Sequence, residues 1–143
     1  MTALGAADDP LASGASEDQR LLISQRMQAE GGGTQTGTWV AAGAINDAGI
    51  ATATSVVVEH GDKKALIRAT HVLNSPDGMI MLESDTWLRP FPAPAPPRVM
   101  VEGTWNLVAA TGPYADLRAR GKLYATVDHT TREITIVREG NAE

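Results

Sequence analysis

Apolar and polar residues alternate with a period of two along most of this chain, and clusters of turn-forming residues interrupt the alternation at nearly even intervals. A period of two belongs to a strand that buries one face, whereas an amphipathic helix repeats every 3.6 residues. The alternating runs span 20–30, 35–44, 50–60, 64–73, 79–88, 99–109, 117–127 and 132–138. Between them lie Gly31-Gly32-Gly33, Asn46-Asp47-Ala48-Gly49, Gly61-Asp62, Asn74-Ser75-Pro76-Asp77-Gly78, a proline-rich stretch, Gly112-Pro113 and Asp128-His129-Thr130-Thr131. Glycine supplies positive φ there, and Asn, Asp and Pro favour tight turns. No long amphipathic helix can be drawn. Eight strands with mostly short turns predict an all-β fold, either an eight-stranded antiparallel β-barrel or a sandwich. Closing the sheet removes its unpaired edges, so the barrel is the favoured reading.

The ends and the composition bound the rest. At 143 residues the chain has the size of one domain. Residues 1–18 are small and polar without periodicity, and are read as a flexible N-terminal arm with too little apolar surface to offset its ordering entropy. Residues 19–143 are read as the single barrel domain. Five of the eight prolines fall in 90–97, a stretch that can neither complete a ladder nor form helix, and that is read as an extended connector. A net charge of −5 without a basic run leaves no electrostatic footprint for nucleic acid. With no cysteine, disulfides, thiolate metal sites and cysteine nucleophiles are excluded together. No apolar run is long enough to span a bilayer with a helix, and the first ten residues lack the basic-then-apolar pattern of an export signal. A soluble, cytoplasmic protein is expected.

Two segments echo each other: Gly37-Thr38-Trp39-Val40-Ala41-Ala42-Gly43 and Gly103-Thr104-Trp105-Asn106-Leu107-Val108-Ala109. Each sets a tryptophan two residues after a strand glycine, where a large ring can cover a missing side chain. The second segment continues as Ala110-Thr111-Gly112-Pro113-Tyr114-Ala115-Asp116-Leu117-Arg118-Ala119-Arg120-Gly121. Taken together, residues 103–121 resemble the hairpin "G-x-W-x-(I/L)-x-x-G-T-G-x-(Y/F)-A-x-(L/A)-x-G-x-G" of the allene oxide cyclase and dirigent-like barrels, including small bacterial members. Ala109-Ala110-Thr111-Gly112 stands where that family has Gly-Gly-Thr-Gly, and Ala119 replaces the glycine before Gly121. The resemblance implies an eight-stranded barrel with a central hydrophobic cavity, a homodimer or homotrimer, and a cyclase or isomerase acting without a cofactor on an apolar small-molecule substrate. From the residues alone, Thr111 to Ala115 is a corner: Gly112 allows an unusual backbone angle, Pro113 fixes φ, and Tyr114 folds its ring over the barrel end.

Polar residues in register with apolar ones on an inward face mark a ligand cavity. On the strand 79–88 one face reads Met79, Met81, Glu83, Asp85, Trp87, and the other Ile80, Leu82, Ser84, Thr86, Leu88. Thioethers, carboxylates and an indole together suit a cavity wall, with Glu83 or Asp85 as proton donor or acceptor. The alternative is an outward face with both carboxylates solvated. On the preceding strand Ala65, Ile67, Ala69, His71 and Leu73 share one side, and Lys64, Leu66, Arg68, Thr70 and Val72 the other. If the first set faces in, His71 is a proton carrier or a hydrogen-bonded core residue; the opposite register brings in Arg68 and Thr70. Tyr124 is a further candidate donor, and Trp39, Trp87 and Trp105 are candidate apolar walls. The three histidines lack metal-ligand spacing, and no phosphate loop or nucleophile elbow is present, so no metal or other cofactor is expected.

Overall fold

The alternating runs become eight antiparallel strands in a computed structural model that describes residues 19–60, 65–88 and 97–142. They are β1 (Arg20–Gly31), β2 (Thr34–Gly43), β3 (Asp47–His60), β4 (Ala65–Asn74), β5 (Met79–Leu88), β6 (Arg98–Ala110), β7 (Ala119–Asp128) and β8 (Glu133–Ala142). Each pairs with its neighbour in sequence, and β1 pairs with β8, so the sheet closes into a barrel. The predicted turn at 46–49 falls slightly early, since β3 already begins at Asp47. Residues 1–18 and most of the proline-rich connector, 89–96, lie outside the described residues. Among the described residues no helix is long and apolar enough to cross a membrane.

Alternation decides what fills the barrel. Leu21, Ile23, Gln25 and Met27 of β1 are buried, as are Trp39 and Ala41 of β2 and Ala51 and Ala53 of β3. His71 and Leu73 of β4, Ile80, Leu82 and Ser84 of β5, and Leu123 and Ala125 of β7 continue the same inner surface. The end formed by the start of β1 and the end of β2 is sealed: Leu21, Ile45, Leu73, Ile80 and Ala119 are buried there, and Tyr114 and Leu117 pack against them. The Gly112–Tyr114 segment makes a single 3-10 turn, with Gly112 at a φ of +65°, and Tyr114 donates a hydrogen bond to Asp47. That matches the corner read from the sequence.

The two tryptophan segments occupy equivalent places four strands apart. Trp39 stands opposite Gly49 on β3, and its indole N–H donates to the Asn74 carbonyl of β4 at 3.0 Å. Trp105 stands opposite Gly121 on β7, and its N–H reaches the Lys122 and Glu139 carbonyls at 3.0 and 3.3 Å. The Trp39 ring therefore covers Gly49 on the next strand and the Trp105 ring covers Gly140 two strands on, not the glycine two residues before each. A methyl on Gly49 would lie 1.8 Å from the Asn74 oxygen, and one on Gly140 would lie 2.9 Å from the Trp105 ring.

Candidate functional site

At the other end of the barrel, where β3 and β5 finish and residues 61–64 and 89–96 lie outside the described residues, the described inner surface is less deeply buried. Ser55, Ile67, Ala69, Thr86, Leu88, Val99 and Val101 all face inward by alternation, yet each remains partly exposed. Val57 at the rim is 57% exposed. Partial exposure extends to Ser55 and Ala69, which stand side by side on β3 and β4, while Ser84 beside Ala69 on β5 is already buried. The walls of this well are apolar with two accessible hydroxyls, and the described inward residues that line it carry no carboxylate.

One layer deeper the inner surface becomes polar. Gln25 and His71 are each 2% exposed and Arg138 is 0% exposed. Arg138 Nε donates to Gln25 Oε1 at 2.7 Å, and Gln25 Nε2 lies 3.0 Å from His71 Nδ1 and 3.6 Å from Met27 Sδ. The chain of bonds crosses the barrel interior from β8 through β1 to β4. Its polarity follows from donor and acceptor chemistry. A guanidinium only donates, so Gln25 presents its oxygen to Arg138 and its amide nitrogen to His71. Nδ1 of His71 is therefore the acceptor, and the proton of the neutral ring sits on Nε2. Burial, with the nearby Arg138 cation, holds the His71 pKa well below its ordinary value. Burial likewise lowers the Arg138 guanidinium to about 9, which leaves it charged at neutral pH.

The predicted site residues separate into three groups. His71 faces in, as the first of the two registers required. Glu83 and Asp85 do not: they share the outer face of β5 with Met79, Met81 and Trp87, while Ile80, Leu82 and Ser84 are buried. Two carboxylates without partners would each cost several kcal/mol inside the barrel, so the plainer apolar face is the one that turns inward. Outside, Asp85 finds Arg68 directly opposite, with Nε–Oδ1 at 2.8 Å and Nη2–Oδ2 at 3.0 Å. Hydrogen bonds from Arg68 hold the Asp85 carboxyl below the usual range. Tyr124 also points outward, since its neighbours Leu123 and Ala125 are the buried pair on β7. Trp39 and Trp105 are buried with their N–H groups committed to backbone, and they stand opposite Gln25 on β1 and Ser84 on β5.

Gln25 and Arg138 were missed, although the signal was present. Gln25 interrupts Leu21, Ile23 and Met27, and Arg138 follows Ile134 and Ile136 on one side of β8. Each is a polar residue in register with an apolar face, the same pattern that singles out His71. Among the described residues no group of three His, Asp or Glu side chains is placed to hold a metal ion. An open cleft of about 950 Å³ beside Asn106, Arg118, Arg120 and Asn141 lies near the sealed end, away from the polar layer. Comparison with protein-family models, with curated proteins and with solved structures finds no match for this chain.

Proposed function

We propose that the barrel is a cofactor-independent cyclase or isomerase that takes an apolar small molecule into the well and folds it above the polar layer. The observation that carries this reading is a partly exposed apolar inner surface, including Ile67, Ala69, Leu88 and Val101, beside a buried polar layer of Gln25, His71 and Arg138. Burying a polar floor costs free energy, which the polar head of a bound molecule would offset. The reaction class comes from the resemblance of residues 103–121 to the allene oxide cyclase and dirigent-like barrels. A narrow apolar well restricts a flexible chain to few conformers and excludes water, which lowers the entropic part of a ring-closure barrier. His71 would contribute as a hydrogen-bond donor through Nε2–H, because its Nδ1 is occupied by Gln25.

A carrier that binds such a molecule without converting it is the second reading, favoured by the absence of a carboxylate among the described inward residues of the well. Mass spectrometry of the molecule extracted from purified protein, before and after incubation with fresh protein, separates the two. An isomer of equal mass and altered retention is the enzyme's result; the same molecule returned unchanged is the carrier's. Blocking the well tests both. Ala69→Trp should abolish retention while the melting temperature stays within a few degrees of wild type, and undiminished retention would remove the well from either function. We also propose self-association into a dimer or trimer through the outer wall, where Val56, Val58, Trp87 and Met100 are exposed. Light scattering after gel filtration reads that directly.

A further inference from the structure

The Gln25–His71–Arg138 layer leaves one cation unanswered. Arg138 uses Nε on Gln25, but neither Nη1 nor Nη2 has an acceptor among the described residues, and both are buried. The ion pairs of the described chain join Arg26 to Glu133, Arg68 to Asp85 and Arg98 to Asp128, so none of them neutralises Arg138. Its two polar neighbours, Gln25 and neutral His71, carry no charge. An unpaired charge held away from water is strongly unfavourable, and proteins keep such groups where something else supplies the counter-charge.

We infer that Arg138 is an oxyanion-binding residue: the molecule entering the well leads with a carboxylate or enolate oxygen, which pairs with the Nη1–Nη2 edge. The inference rests on the reading of the well as a small-molecule site, and holds whether or not that molecule is converted. Three features support it. The planar fork of a guanidinium matches two oxygens at once, which an ammonium cannot do. Gln25 fixes the orientation of that fork and is itself braced by His71 across the barrel, so the geometry is set before the ligand arrives. On the β3–β5 side the row above His71 consists of small side chains, Ser55, Ala69 and Ser84, whereas buried Met27, Ala125 and Ile136 stand above Arg138 on β1, β7 and β8, so a leading group would approach the guanidinium from the β3–β5 side, with an apolar tail behind it along Ile67, Leu88 and Val101.

The test compares matched acid and neutral probes by titration calorimetry: dodecanoate against methyl dodecanoate, and a 2-alkyl-1,3-cyclohexanedione against its O-methyl enol ether. The acid of at least one pair should bind about tenfold or more tighter than its neutral partner, and which pair shows it separates carboxylate from enolate recognition. In Arg138→Met the preference should collapse while the neutral probes bind as before, and Arg138→Lys should restore only part of it. Equal binding of acid and neutral probes to the wild type overturns the inference but leaves the well as a binding site. Failure of all four probes to bind overturns both. A preference that survives Arg138→Met also overturns it. Should that variant not fold, nitrogen-15 spectra of wild-type arginine side chains decide: the Arg138 resonances should move with the acid and stay still with its neutral partner. Acid-induced shifts confined to other arginines count against the inference.

Discussion

His71 titrates against its surroundings. Burial first, and the Arg138 cation second, hold its folded pKa well below 6.5, whereas the unfolded chain protonates it near that value. Between the two, the unfolded state binds a proton that the folded state refuses, so stability falls as pH drops below about 6.5 and levels out only under the folded pKa. Denaturant unfolding at pH 7, 6 and 5 should show a loss approaching about 1.4 kcal/mol per unit, and His71→Gln should flatten that slope. A wild-type slope unchanged by the substitution would assign the effect elsewhere. Arg138 obeys the same sign in another window: its folded pKa of about 9 lies under the ordinary value, so the penalty is complete below pH 9 and eases only above it. Removing that charge with Arg138→Met should therefore not lower the melting temperature of the ligand-free protein, a result a purely structural brace would not give. Glu83→Ala and Asp85→Ala make the complementary case. Both carboxylates are outside, and the Arg68–Asp85 pair is about two-fifths exposed on each side chain, so each substitution should cost under about 1 kcal/mol and leave ligand retention intact.

At the scale of the strand, tryptophan is paired with glycine. Gly49 and Gly121 are the cross-strand partners of Trp39 and Trp105, and a methyl on either would stand 1.8 Å from a backbone carbonyl oxygen. Backbone cannot step aside as a side chain can. Gly49→Ala and Gly121→Ala should each cost about 3 kcal/mol or more by overpacking. Gly32→Ala is the control, since nothing lies within 4 Å of its Cβ and only the φ of +63° is offended, at about 1 kcal/mol. Equal losses at the three positions would mean that conformation, not contact, sets the requirement. The echo between residues 37–43 and 103–109 reflects this shared packing need, and it was legible because a glycine and a tryptophan in a strand are both unusual and local. Their partners were not legible, because nothing in 37–43 states which strand will lie opposite.

Over the whole molecule, the ladder between β1 and β8, from Arg20↔Asn141 to Gln28↔Glu133, turns a meander into a barrel. Without β8, strands β1 and β7 would be left as open edges, and Ile136 and Arg138 would leave the interior. A chain ending at Arg132 should therefore show no cooperative thermal transition by circular dichroism; a sharp transition near the wild-type temperature would mean that seven strands suffice. The same closure brings Gln25 to His71, 46 residues away in sequence, and to Arg138, 113 residues away.

The sequence by itself determined the strand count, the antiparallel order and the positions of most turns, because alternation and turn chemistry act between residues a few places apart. It also marked His71 as a polar residue on an apolar face. Only the tertiary structure decided which face of β5 turned inward, since that choice depends on the charge of both faces at once and on Arg68 waiting opposite Asp85 outside. Only the closed barrel brought Gln25, His71 and Arg138 into one layer. Their meeting depends on where β1, β4 and β8 stand around the ring, and no local pattern carries that information.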